Sequence, residues 1–204
     1  MKVLVSKRNH VYLRDNMVFK EHKNPEAARL EVEFLETLKN KGVAVPTVLK
    51  VEKNVLCLEY IKGEPLPDFL LDQNAIARCG EVAEAIAKWF ESFYSAVNHK
   101  ETSEIRGDVN GRNFIITDRN TVGVDFEEHI FGRRETDLGR LLSYVSFYSY
   151  EDTTAQKKLE EMLIRSLTRR FSLSEDILLE EKANELKVIE KLRSIGYNKK
   201  HRTC

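Results

Sequence analysis

Three short runs open the chain in which apolar and polar positions alternate: Val3–Val5, Val11–Leu13 and Met17–Lys20. Period-two alternation predicts β-strands, and Arg14-Asp15-Asn16 has the composition of a tight turn between the second and third. The period then changes. Asn24-Pro25 reads as a helix N-cap followed by proline at the first helical position. Leu30, Phe34, Leu35 and Leu38 recur at helical spacing, so a helix is predicted from Pro25 to about Lys41, with those four facing a core and Gly42 ending it. Val43–Pro46 is a connection, and Val48–Val51 and Val55–Tyr60 form a second hairpin around Lys53-Asn54.

Gly63-Glu64-Pro65-Leu66-Pro67 interrupts both periods and marks a boundary between an N-terminal lobe, residues 1–61, and a second lobe, residues 62–204. The second lobe is mainly helical. A long helix covers about Asn74 to Val97, with Ile76, Val82, Ile86, Trp89 and Phe93 as core positions and Trp89 read as packing. Phe114–Thr117 and Val122–Asp125 form a small hairpin turned at Asp118-Arg119-Asn120. Helices over about Glu135–Tyr148, Thr153–Phe171 and Glu175–Ile195 close the chain, with Asp152 and Ser174 as caps and Gly196 as a stop. The fold class is therefore α+β: a small antiparallel sheet with one helix, then a helical lobe, and a cleft between them as the place for a ligand.

Composition narrows the function without naming it. The 204 residues are 42% hydrophobic and 32% charged, as in a soluble globular protein. Lysine plus arginine equals aspartate plus glutamate, 33 each, so no obligatory nucleic-acid partner is expected. Only Lys199-Lys200-His201-Arg202 is locally basic. Cys57, Cys79 and Cys204 form no CxxC pair, which argues against a disulfide framework or a zinc site. Met1–Lys7 lacks an apolar signal region and no stretch reaches membrane-spanning length, so the expectation is a cytoplasmic protein with no membrane partner.

The most informative stretch is Arg106-Gly107-Asp108-Val109-Asn110-Gly111-Arg112-Asn113, followed by Val124-Asp125-Phe126-Glu127. An acid stands five residues before an amide, then come an apolar run, a turn, another apolar run and a second acid. Phosphoryl transfer from ATP uses this set. Asp108 would accept the proton of a hydroxyl, while Asn113 and Asp125 would supply oxygen ligands to Mg²⁺. Lys20 ends the third strand. It is either an exposed strand-end lysine or a point charge for the nucleotide phosphates, and the company of Asp108 and Asp125 favours the second. Glu31, on the core-facing side of the following helix, is its natural partner; Glu33 competes but turns away. Extended backbone at Glu59 to Ile61, leading out of the second hairpin, presents groups that can read an adenine edge. Asp137, in the first turn of a helix, suits the helix dipole and can buttress the Asp108 loop through Arg112 or a backbone N–H.

These motifs, in this order from about residue 9 to residue 145, resemble the aminoglycoside phosphotransferase and choline kinase-like branch of the protein-kinase-like two-lobe fold. The passage Val43-Ala44-Val45-Pro46-Thr47-Val48-Leu49 is similar to that branch as well. The resemblance implies ATP- and magnesium-dependent phosphorylation of a hydroxyl on a small molecule such as an aminoglycoside, sugar or amino alcohol. By it Asp108 is the base, Asn113 and Asp125 are metal ligands, and Lys20, held by Glu31, is the phosphate contact. Glu127, where protein kinases carry glycine, points the same way. The chain departs from the pattern at Arg106, where the family has histidine in a supporting role, and in having no glycine before Gly42, so that Ser6–His10 replaces a glycine-rich phosphate loop. It is also short for the branch. These departures keep two alternatives open: a pseudokinase or nucleotide-binding interaction module, with a protein partner, and a compact atypical protein kinase.

Overall fold

The computed structural model describes residues 2–4, 9–98, 103–127, 130–147 and 153–201, with the side chains of the last helix described as far as Leu192. Asp15 and Asn16 have φ of 51° and 57°. Those are the two left-handed residues of a hairpin turn whose twist matches its strands. The turn joins β2 (His10–Arg14) to β3 (Met17–Glu21) in register, Arg14 opposite Met17 and Val11 opposite Lys20. With β1 (Lys2–Val3), β4 (Val48–Glu52) and β5 (Val55–Glu59) they make a five-stranded antiparallel sheet in the order β1-β2-β3-β5-β4.

Helix α1 (Pro25–Asn40) starts as its sequence dictates, with Asn24 Oδ1 accepting the Ala27 N–H at 2.9 Å. Gly42, at φ +82°, turns the chain out of it. Its buried positions are Ala28, Glu31, Leu35 and Leu38. Leu30, expected in the core, is 49% exposed, because the three- and four-residue steps from Ala28 fall on Glu31 and not on Leu30. A carboxylate therefore takes a place on the helix's buried face.

After β6 (Glu64–Pro65) and the one-turn α2 (Leu66–Phe69), the chain is mainly helical: α3 (Ala75–Ala96), α4 (Arg134–Phe147), α5 (Thr154–Phe171) and α6 (Glu175–His201). Val82, Ile86, Trp89 and Phe93 of α3 are buried as expected. Ile76 is 47% exposed, one position off the stripe that begins at Ala75. Gly196 does not stop α6, which continues to His201; a glycine costs an exposed helix only about 1 kcal/mol unless a left-handed cap follows. Ser174 Oγ accepts the Ile177 N–H as a cap. Asp152, the other expected cap, Val5 of the first expected strand and residues 6–8 of the expected phosphate loop lie outside the described residues.

Small sheets set into the helical part carry the polar loops. β8 (Phe114–Ile116) pairs with β9 (Thr121–Gly123) and with β6, while β7 (Ser103–Ile105) pairs with β10 (Ile130–Gly132). Asp125 lies beyond the end of β9, not within the strand as its apolar neighbours suggested. The two parts of the chain are tied by the connection after α1. Ala44 O accepts both Trp89 Nε1–H, at 2.8 Å, and Gly123 N–H, at 3.0 Å. Trp89 stacks on Phe93 and meets Phe90 and Phe114 edge-on. Phe34 from α1 and Phe126 join the same cluster. Each ring so buried contributes about 1.5–3 kcal/mol. Phe126 thereby anchors the Asp125 segment in the core. Among the described residues no helix is long and apolar enough to cross a membrane.

Candidate active site

Lys20 lies on β3 facing α1, and the register that puts it there also buries it to 4% exposure. A buried ammonium needs anions around it. Its Nζ stands 2.9 Å from Glu31, 2.5 Å from Asp125 Oδ1 and 2.7 Å from Glu127 Oε1. Burial acts to lower the Lys20 pKa, but the three carboxylates outweigh it and hold the group firmly protonated. Glu31 is equally buried. Burial alone would raise its pKa, yet His22 and Lys20 carry it below the usual carboxylate range. Its Oε1 also accepts the Phe126 N–H at 3.1 Å, so one carboxylate ties α1 to both β3 and the Asp-Phe-Glu segment. His22 Nε2 lies 2.9 Å from Glu31 Oε2, but off the axis of a hydrogen bond. Glu33 is exposed on the other side of α1 and pairs with Arg29.

The Asp108 loop follows β7 and is held from behind by Asp137. That fully buried carboxylate accepts the Arg106 N–H at 2.6 Å, the Gly107 N–H at 2.9 Å and the Tyr94 O–H at 3.2 Å. Burial nevertheless raises its pKa. Its partners are two backbone N–H groups and the Tyr94 hydroxyl, and Arg112 is not among them. Gly107 takes φ +74°, a left-handed turn that swings the chain into Asp108. Asp108 Oδ1 accepts the Asn110 N–H at 3.1 Å. Among the described residues no protein group hydrogen-bonds its second oxygen, and the residue is half-exposed.

Asn113 ends a 3-10 turn over Gly111–Asn113, and its Nδ2 donates to Asp108 O at 3.3 Å, which leaves the amide oxygen as its ligating atom. Asn113 O accepts the Val124 N–H at 2.9 Å, so the amide and Asp125 are locked across the β8–β9 hairpin.

Arg106, where the resemblance led to histidine, supports the Asp125 segment through its backbone. Its side chain is 1% exposed, lies over the Phe126 ring at 4.3 Å, and donates from Nη2 to both Val124 O and Asp125 O at 2.6 Å. Asp125 has φ +64°, a strained conformation for a residue with a side chain. The two bonds from Arg106 fix the peptides on either side of that strain. Burial lowers the arginine's pKa, with Asp108, Asp125 and Asp137 acting against it.

The structure thus brings Lys20, Glu31, Asp125, Asn113, Asp108, Arg106 and Asp137 into one connected site. Glu59 and Ile61 stand apart from the charges. Lys20 pairs with Leu56 on β5, and Glu59 is three residues further along, about 10 Å at strand spacing. The Glu59 N–H and carboxylate are both spent on Thr47, so only its carbonyl and the Ile61 backbone remain for a ligand. Two participants were not read as site residues from sequence: Glu127, seen only as a marker of the branch, and His22; Asn9, from the expected phosphate loop, donates from Nδ2 to Glu127 Oε1. Adjacency to Asp125 was a usable signal for Glu127, whereas nothing in the sequence singles out His22.

The donors are of the type a divalent cation takes, although among the described residues no three His, Cys, Asp or Glu side chains gather closely enough to form a metal site by themselves. Asp125, Glu127 and the Asn113 amide are hard oxygen donors, and the carboxylates around Lys20 outnumber its single charge. Burial lifts the Glu127 pKa, while Lys20 draws that of Asp125 down against its own burial.

An antiparallel sheet with one helix, a helical second part and this buried lysine–glutamate pair facing an Asp-Phe-Glu segment define a protein-kinase-like fold. An aminoglycoside-3'-phosphotransferase of type VIII superposes with a TM-score of 0.63 at 16% identity, over 89% of this chain and 91% of that one. A choline/ethanolamine kinase family protein from Mesorhizobium loti gives 0.54 at 16% identity, over 97% and 80%. An amicoumacin kinase, solved with AMP-PNP and Ca²⁺, gives 0.54 at 12% identity, over 83% and 72%. Residues 3–138 match the RIO domain family, and the chain belongs to that family. The likeness to the aminoglycoside phosphotransferase and choline kinase branch therefore holds for the fold, while the family is RIO. No curated protein matches the chain.

Proposed function

We propose that the protein is an ATP-dependent phosphotransferase acting on a hydroxyl group. The observation that carries this reading is the junction at Lys20, where β3, α1 and the Asp125 segment meet within 2.9 Å of one ammonium beside the Asp108 loop. In this reading Asp108 orients the acceptor hydroxyl and takes its proton as the oxygen attacks the γ-phosphorus. The bond from that phosphorus to the β–γ bridging oxygen breaks, and ADP leaves with the electron pair. Lys20 contacts the phosphates, and the Glu59 carbonyl and Ile61 backbone meet the adenine. Asn113 and Asp125 would hold Mg²⁺, which when bound supplies positive charge beside the phosphates.

For the acceptor, the favoured class is a small molecule. The link from Asp125 to α4 is only residues 126–133, and three of these are spent in β10, paired to β7. No long loop stands there as a platform for an extended peptide. RIO-family membership supports the second reading, a compact atypical protein kinase or ATPase. The test of the core proposal is Mg²⁺-dependent ADP release, first alone and then with a panel of hydroxyl compounds and serine-containing proteins. Asp108→Asn should lower turnover by about 10²–10⁴-fold while leaving the melting temperature and nucleotide affinity close to wild type. Undiminished turnover in that variant removes Asp108 from the mechanism.

A further inference from the structure

Lys20 has three N–H bonds and three carboxylates within reach: Glu31, Asp125 and Glu127. Two of the N–H bonds donate to Glu31 and Asp125, and the Glu127 carboxylate lies 2.7 Å from the same ammonium, so a phosphate oxygen would meet a lysine already surrounded by anions. Two of these contacts have evident structural purposes. Glu31 joins α1 to β3, and Asp125 is fixed by Arg106 through its backbone. Glu127 has neither duty. Its backbone follows the anchored Phe126, and its carboxylate reaches back to Lys20 while accepting Asn9 Nδ2–H. Asn9 immediately precedes β2 of the N-terminal sheet. The clasp Asn9–Glu127–Lys20 thus ties the N-terminal sheet to the Asp125 segment and sets a carboxylate beside the lysine that, in the phosphotransferase reading, meets the phosphates. Arg106 offsets part of the charge on Asp125, but its only hydrogen-bonding side-chain nitrogen among the described residues, Nη2, donates to backbone carbonyls, and His22 faces Glu31, so neither pairs with Glu127.

Resting on the phosphotransferase reading above, we infer that Glu127, clasped by Asn9, is a specificity-determining residue that makes the site accept metal-bound nucleotide and refuse the free triphosphate. Free ATP must share the Lys20 ammonium with three carboxylates that then lie against its own phosphates. Like charges at such range in a half-buried site repel strongly. A nucleotide arriving with a divalent cation gives Asp125 and Glu127 a new counter-charge, and Lys20 is released to the phosphates without that penalty.

Calorimetric titration of the full chain with ATP in EDTA, and with ATP plus Mg²⁺, tests this without reference to turnover. Wild type should bind the magnesium complex at least about 100-fold more tightly than free ATP. Glu127→Gln should strengthen binding of free ATP by about tenfold or more, and Asn9→Ala should move it in the same direction by less. The unliganded variants are compared by thermal melt to show that they fold. If Glu127→Gln leaves free ATP as weak as in wild type, or lowers both affinities equally, Glu127 is not the discriminator although the phosphotransferase reading stands. If wild type binds neither form at millimolar nucleotide, both fall.

Discussion

Replacing Lys20 with methionine keeps the length of the side chain and removes its charge. Lys20 and Glu31 are both almost wholly buried, and at 2.9 Å their gross attraction is about 6 kcal/mol in an effective dielectric of 20. Much of that offsets the desolvation of the ammonium, which the variant no longer incurs. What remains is the cost of a buried carboxylate stripped of its main partner, typically about 3–5 kcal/mol. Asp125 is 43% exposed at its side chain and can turn to water, so Glu31 bears most of the loss. For a domain of this size the expected fall in melting temperature at pH 7 is roughly 6–20 °C. The effect carries a pH signature. In wild type the Glu31 pKa is depressed, so its contribution is complete above the unfolded value of 4.5 and is lost only below it. In Lys20→Met the folded-state pKa of Glu31 rises above that value, and the penalty grows with pH from about 4.5 upward. Melts across pH 5–8 should therefore show a gap between the two proteins that narrows as the pH falls. A gap of under about 1 kcal/mol at pH 7, or one that does not change with pH, refutes the account of Glu31 as an anion dependent on Lys20.

Two further changes probe the supports of the site. Asp137→Ala removes the acceptor of three hydrogen bonds and orphans the Arg106 and Gly107 amides. It should cost about 3 kcal/mol in denaturant unfolding and release the Asp108 loop to faster amide exchange. Gly139→Ala puts a methyl 2.8 Å from both the Glu181 carbonyl carbon and the Lys182 nitrogen, forcing α4 from α6. It should lower stability by about 1–3 kcal/mol, with exchange in α6 accelerated more than in β2 and β3.

Much of the site was legible because its spacing is local. Asp108 and Asn113 are joined within one turn of chain, and Asn24-Pro25 and Asp15-Asn16 specify their cap and hairpin through backbone chemistry alone. Glu31 was legible by a longer route, since helical phase separates it from Glu33. The misread positions share a cause. Leu30 and Ile76 are apolar residues just off the buried stripe, and no local rule says how wide that stripe is. Helix α2, β6 and the β7–β10 pair escaped because their partners are far along the chain and each is too short to show a period.

The order of elements, the α+β class and the acids of the phosphoryl-transfer pattern follow from the sequence by itself, because they rest on contacts a few residues apart. Only the tertiary structure decided what those acids face. Lys20 and Asp125 are 105 residues apart, and Asn9 and Glu127 are separated by 118. Their meeting depends on Ala44 O pinning the connection after α1 to Trp89 and Gly123, and on Phe126 entering the aromatic core. Such contacts form only when whole elements pack, so neither the ring of carboxylates around Lys20 nor the hold of Arg106 on the Asp125 backbone could be read from residue spacing.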